Sequence, residues 1–300
     1  SNLSMSLAQQ ELARRELARR SLLDFTCLLN PKYVVGWVHR EVTDLLDAFE
    51  QAVAEKRGPR LIIELPPRHG KSELVSRCFP AFLLGRHPDW EVVCASYNSD
   101  LAASFGREVR TTLHDPLYRD LFPDLELRKD SNAVDFVKTT GKGSYKAVGV
   151  GGTLTGMGAE VLLIDDPVRN REDADSELVS EATWRWYQSV ARTRLSPGGG
   201  IIICMTRWSL LDLAGRLQEA QTERIDAEHW HVYSFPAIAT KDEKHRKAGE
   251  ALHPERWPLR ELEKLRGALD AREWTALYQQ NPVPDQGLIF SKDWVKWYAA

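Results

Sequence analysis

Leu65-Pro66-Pro67-Arg68-His69-Gly70-Lys71-Ser72 decides how this chain is read. It follows an apolar run, Leu61-Ile62-Ile63-Glu64, and leads into Glu73-Leu74-Val75-Ser76-Arg77, which reads as helix. A strand, a tight loop closing in Gly-Lys-Ser and then a helix form a layout that cradles a nucleotide's phosphates. Backbone N–H groups at the helix start face the anion, Lys71 reaches the β- and γ-phosphates, and the Ser72 hydroxyl ligates Mg²⁺. The loop departs from the usual G-x-x-x-x-G-K-[ST] string because Leu65 stands where the first glycine is expected. A bare Gly-Lys-Ser also occurs in solvated turns, so the flanking strand and helix are what favour phosphate binding. The expected ATP contacts are Pro67, Arg68, His69, Gly70, Lys71 and Ser72.

Working outward, Val161-Leu162-Leu163-Ile164-Asp165-Asp166-Pro167 is an apolar run ending in two carboxylates. Such a run suits a buried parallel strand, and its C-terminal end lies on the edge where open α/β sheets bind ligands. A phosphate-loop NTPase needs one acid there for the metal and a second group for the attacking water. Asp165 is assigned to Mg²⁺ and Asp166 to the water. The bland alternative is a strand end whose acids face solvent. A third run, Gly200-Ile201-Ile202-Ile203-Cys204-Met205, ends in Thr206-Arg207-Trp208. Thr206 and Arg207 could sense the γ-phosphate or simply cap the strand.

Alternating strands and helices from residue 59 onward predict an α/β fold with a mostly parallel sheet and helices on both faces. Residues 7–29 read as helix, with Glu11/Arg15 and Glu16/Arg20 four apart in the favourable order. A second helix is expected from His39 to about Lys56, and another near 175–192. Residues 139–158 hold seven glycines and read either as a mobile loop, whose Lys142 and Lys146 could engage phosphates, or as a glycine-rich hairpin. The expected division is an N-terminal helical segment (1–58), the ATPase core (59–213), a helical lid or linker (214–285) and a short terminal stretch (286–300).

With 300 residues the chain can bury a sizeable core. A net charge of −3 argues against a static nucleic-acid binder with a basic face, though a few local cations suffice for transient phosphate contacts. No stretch approaches the ~18 apolar residues that suggest a membrane span, and no signal peptide is evident. The four cysteines lack C-x-x-C spacing and read as reduced core residues, with no zinc site.

Several elements stand in order: Pro-Pro-Arg-His-Gly-Lys-Ser (66–72), Ala-Ser-Tyr (95–97), Leu-Thr-Gly-Met-Gly-Ala (154–159), Leu-Ile-Asp-Asp-Pro (163–167) and Thr-Arg-Trp (206–208). Asp212-Leu213-Ala214-Gly215-Arg216-Leu217 and Tyr278-Gln279-Gln280-Asn281-Pro282 follow. Together they resemble the large subunit of tailed-bacteriophage terminases, the ATP-driven motors that package DNA. The resemblance covers nearly the whole chain. It implies an ASCE-type P-loop ATPase with a small helical lid, using ATP and Mg²⁺. It also implies action in the host cytoplasm on double-stranded DNA, with the portal protein of the procapsid, the small terminase subunit and a ring of copies as partners.

By that resemblance Arg68 contacts the γ-phosphate region, and Thr206 and Arg207 form the coupling motif. His39 stands near the place of the adenine-recognising glutamine motif, although it is not Gln. Large terminases usually continue into a metal-dependent nuclease domain, and Gly287-Leu288-Ile289-Phe290-Ser291 looks like the approach to it. No cluster of acids for DNA cleavage is expected in this chain. Some related sequences carry Arg where Met157 stands, which leaves Arg128, Arg169, Arg192 and Arg194 as candidates for a finger offered to a neighbour. The competing expectations are a helicase-like ATPase and a portal-docking module that nucleotide merely orders.

Overall fold

The computed structural model describes residues 6–284 except 131, 132 and 134. Seven strands form one sheet: β1 (Arg60–Glu64), β2 (Glu91–Ser96), β3 (Phe136–Lys138), β4 (Ser144–Gly149), β5 (Ala159–Asp165), β6 (Leu195–Met205) and β7 (His231–Ser234). Their spatial order is β3-β4-β2-β5-β6-β1-β7, and only the β3–β4 pair is antiparallel. The fold is therefore α/β with a mostly parallel sheet, as the alternation predicted. β6 lies between β1 and β5, so the glycine-lysine loop and the acid pair rise from strands one apart.

Both sheet faces are covered, which explains the uninterrupted apolar runs. Side chains alternate in direction with a period of two. Leu61, Ile63, Val92, Cys94, Val161, Leu163, Ile202 and Cys204 bury on one face. Ile62, Val93, Ala95, Leu162, Ile164, Ile201, Ile203 and Met205 bury on the other.

Helices α1 (Leu7–Arg20), α2 (Leu22–Leu29), α3 (Trp37–Ala54), α4 (Phe79–Arg86), α5 (Ser99–His114) and α6 (Pro116–Leu121) supply buried residues to the first face. In α3, Val38, Val42, Leu46, Phe49 and Val53 recur at helical spacing and are buried. After β5 come α7 (Arg171–Asp175) and α8 (Glu177–Trp186); with α9 (Leu213–Glu223), α8 packs on the second face. α10 (Leu259–Ala268) and α11 (Ala271–Glu273) belong to a smaller cluster, where Ala237, Ala251, Leu262 and Trp274 bury together.

Several expectations change. The helix expected over 7–29 is two, because Ser21 ends α1 and its side chain caps α2 by accepting from the Asp24 N–H. The helix expected from His39 starts at Trp37. The one expected near 175–192 is α8 followed by a π turn, Tyr187–Ala191, and a short 3₁₀ turn. The middle of the glycine-rich stretch, Ser144–Gly149, is strand β4, paired between β3 and β2 rather than free. Gly143 has no room for a Cβ against the Pro88 and Trp90 carbonyls, so close backbone approach requires it. Lys146 is ion-paired with Asp135. Two elements of the expected lid segment lie on the sheet instead. α9 buries Leu213, Ala214 and Leu217 against the second face, and β7 pairs with β1. Apolar side chains at helical spacing after Asp212 need a face to cover, and the sheet supplies it. The stretch Gly287–Ser291 falls outside the described residues.

The four cysteines are free thiols. Among the described residues no helix is long and apolar enough to cross a membrane.

Candidate active site

Residues 65–72 leave β1 at the C-terminal edge of the sheet and return into a π turn, Glu73–Cys78, continuous with α4. Two left-handed residues shape the bend, Arg68 at φ 59° and Gly70 at φ 87°. A Cβ on Gly70 would lie 2.8 Å from the Tyr33 hydroxyl and 2.9 Å from His39 Nε2, so the position excludes any side chain.

His39 holds the loop from behind. Its Nδ1 accepts from the Gly36 N–H at 2.9 Å, which leaves Nε2 protonated to donate to the His69 carbonyl at 2.9 Å. Both ring nitrogens are thus committed to backbone, and neither is free to read adenine. The base-recognition role expected of His39 is replaced by a role in loop shape. His69 points inward, donating from Nδ1 to the Pro67 carbonyl, and stacks on Trp257 with ring centroids 5.9 Å apart. Burial holds both imidazoles neutral, pushing each pKa down to about 4.

Lys71 is 8% exposed and its Nζ sits 2.5 Å from Asp166 Oδ2. Burial alone would favour neutral lysine, but the charges of Asp166 and Asp165 outweigh it and hold the ammonium firmly protonated. Asp166 adopts φ 43°, and its Oδ1 accepts from the Thr206 N–H at 2.9 Å. Asp165, 1% exposed, accepts from Ser76 Oγ at 2.6 Å through Oδ2, while its Oδ1 has no hydrogen-bond partner. Its acidity is weakened first by burial and then by the neighbouring Asp166 charge, against the opposing pull of Lys71, Ser76 and Ser72. A buried carboxylate oxygen without a donor, beside a hydroxyl, suits a hard cation. No group of three or more acids, histidines or cysteines that could hold a metal exists among the described residues.

Thr206 and Arg207 part company. Thr206 Oγ1 donates to the Leu65 carbonyl at 2.9 Å, so this residue ties the loop's first residue to Asp166. Arg207 turns into the protein, where Nη1 donates to Glu64 Oε1 at 2.9 Å and Nε to Asp212 at 3.0 Å. Its backbone N–H donates to Gln280 Oε1, so the strand end is joined to the lid. The guanidinium therefore does not face the cleft in this state.

The cleft in front of the loop has a volume of about 510 Å³ and is lined by Asn30, Tyr33, Arg68, Gly70, Lys71 and Ser72, among others. Lys32, Arg77 and Arg256 add positive charge to its wall, and Glu73 is the acid among its lining residues. A hollow of about 550 Å³ opens elsewhere, beside the start of β1, lined in part by Arg60, Glu228 and His231. Its acid, Glu228, is already paired with Arg60 and Arg192, and Lys71 and Asp166 lie past the other end of the strand. Of the four finger candidates, Arg128 pairs with Asp130, Arg169 with Asp173 and Arg192 with Glu228, while Arg194 Nε is buried without a partner.

Sequence reasoning assigned no role to Ser76, Glu64, Asp212 or Gln280. Ser76 reaches Asp165 only because the turn after the loop is π-wide, which the sequence does not reveal. Glu64 carried a usable signal, since a charged residue ends an otherwise apolar buried run directly before the loop.

A mostly parallel sheet thus carries a left-handed glycine-lysine loop with an acid pair facing it at one edge. The family model of the terminase large subunit, T4likevirus-type, N-terminal, matches residues 62–296. The chain belongs to that family.

Among solved structures, the HK97 bacteriophage large terminase is similar, with a TM-score of 0.51 and 16% identity over 79% of this chain and 50% of that one. A mutant ATPase domain of the Thermus phage P74-26 large terminase gives 0.48 and 14% over 78% and 93%. A large terminase from a thermophilic bacteriophage in complex with ADP gives 0.41 and 13% over 74% and 47%. The chain spans half the length of the HK97 protein. No curated protein matches it.

Proposed function

We propose that this chain is the ATPase motor part of a viral large terminase, hydrolysing ATP to drive double-stranded DNA into a procapsid. The observation that carries the reading is the buried Lys71–Asp166 pair at the mouth of the loop. A buried ammonium needs an anion, and breaking such a pair is costly unless another anion takes over. ATP phosphates are that anion. When Lys71 transfers to them, Asp166 Oδ2 is released to accept a proton from the attacking water. The water oxygen bonds to the γ-phosphorus, the bond to the bridging oxygen breaks, and ADP and phosphate leave. Ser72 and Asp165 would hold Mg²⁺, which neutralises charge on the β- and γ-oxygens when bound. Arg68, exposed at the bend, is placed to meet the γ-phosphate region.

Coupling runs through Thr206 and Arg207. Thr206 contacts both the acid and the loop, and Arg207 links the same strand end to Glu64 and Gln280. Release of Asp166 would be felt by the Thr206 N–H and passed along this strand end to the lid. In the motor, copies of the chain would form a ring on the portal in the host cytoplasm, with the small terminase subunit delivering DNA. Lys71→Ala tests the reading: ATP turnover should vanish while far-UV circular dichroism stays unchanged. Undiminished turnover in that folded variant would remove the phosphate-loop assignment.

A further inference from the structure

The lid reaches the phosphate loop through one turn, residues 253–257. The Arg256 and Trp257 N–H groups both donate to the His253 carbonyl, at 3.1 and 2.7 Å, which makes the turn compact. Trp257 Nε1 donates to the Arg68 carbonyl at 3.2 Å, and its ring stacks on His69. The His253 ring packs edge-on against His39, with centroids 4.6 Å apart. The turn is therefore pinned to the backbone and side chains of the loop itself. Between the two pinning residues, Arg256 is exposed and lines the same cleft as Gly70, Lys71 and Ser72. Among the described residues it forms no ion pair, unlike Arg246 and Arg272 of the same region, which pair with Glu243 and Asp175.

A guanidinium mounted on a fixed turn, unpaired and facing a cleft of cations, has anionic oxygen as its natural partner. We propose that Arg256 is a nucleotide-contacting residue that the lid supplies in cis, gripping the phosphate chain in the cleft it shares with Gly70, Lys71 and Ser72. This rests on the nucleotide reading of the cleft. The oxygens it would meet belong to the phosphates that ATP and ADP share, because Arg256 lines the cleft together with Tyr33, Gly70 and Ser72, and Asp166 is not among the lining residues. Bound nucleotide thereby holds the lid turn down, and nucleotide release frees it.

The test is the affinity of the whole chain for a fluorescent ADP analogue, read by anisotropy. Arg256→Met keeps the apolar stem and removes the charge. Loss of a charge-assisted contact should weaken binding about ten- to a hundredfold. Arg256→Lys should fall between the two, since a point charge restores attraction without the bidentate fork. Hydrogen exchange of residues 250–257 should slow on ADP addition in the wild type and not in Arg256→Met. If Arg256→Met binds ADP as the wild type does while Lys71→Ala does not, the lid contact is wrong and the nucleotide site stands. If the wild type itself binds no nucleotide, both fall together. An unchanged melting temperature in Arg256→Met separates loss of contact from loss of fold; if Arg256→Met unfolds, Arg256→Lys carries the decision, with wild-type affinity overturning the proposal.

Discussion

Asp166→Asn should raise nucleotide affinity while abolishing hydrolysis. Lys71 is buried with its ammonium 2.5 Å from Asp166 Oδ2, and the Asp166 side chain is 24% exposed. Removing one partner of a fully buried pair costs about 3–5 kcal/mol, because the other charge is left uncompensated. Here Asp165 remains near Lys71 and Asp166 is partly wetted, so the cost falls below that range, to about 2–3 kcal/mol. Much of that strain disappears when ATP phosphates approach Lys71. In the wild type the same phosphates must first displace Asp166. With 1.4 kcal/mol equal to a factor of ten, the variant should bind ATP roughly ten- to a hundredfold more tightly. Isothermal titration of Mg-ATP into both proteins measures this directly, and single-turnover hydrolysis confirms the lost step. Thermal unfolding should show an apo variant less stable than the wild type and a larger upward shift on adding nucleotide. Equal or weaker affinity in a folded variant would refute the idea that Asp166 holds the lysine's place for the phosphate.

Gly70→Ala should lose nucleotide binding and destabilise the loop by about 1–3 kcal/mol, since the residue sits at φ 87° with Tyr33 and His39 in the way; titration with ADP and a urea melt check both. His39 gives a pH signature. Its pKa is lowered to about 4, so the unfolded chain binds more protons below pH 6.5 and stability falls as pH drops from there toward 4. At pH 5 the loss is about 2 kcal/mol relative to neutral pH. Asp47, raised to about 7 mainly by burial, acts in the opposite direction, so the quantity to measure is a difference. His39→Asn keeps an acceptor for the Gly36 N–H, and wild type minus variant should show that loss between pH 7 and 5. A pH-independent difference would mean that His39 is not buried neutral.

The sheet was legible because both its faces are covered. An apolar run of three to five residues ending in a polar or charged group leaves few other readings, and β1, β5 and β6 all followed that rule. The polar cluster at their ends was legible for the same reason: Lys71, Asp165, Asp166 and Thr206 come together at one edge. What stayed hidden depended on where side chains turn. Arg207 lies next to Thr206 in sequence, yet it points into a buried ion-pair network because Glu64 and Asp212 wait there. Nothing in the order of residues separates an arginine facing a cleft from one facing an acid. β4 was hidden by the glycines around it, of which Gly141 and Gly143 serve close packing against Pro88 and Gly149 against Asn98 and Ser99. The lid turn carrying Arg256 was unreadable because its contacts are long-range and mostly aromatic.

β7 has a mechanical consequence. It runs parallel to β1 over four residue pairs, from Leu61 opposite His231 to Glu64 opposite Ser234, and the Phe235 N–H continues the ladder to the Glu64 carbonyl. The phosphate loop leaves one strand and the lid leaves its neighbour at the same end. A force pulling the lid along the strand axis loads every rung at once, in shear. A force tilting the lid across the sheet loads only the last rung. The joint is therefore stiffer to sliding along the strands than to tilting across them.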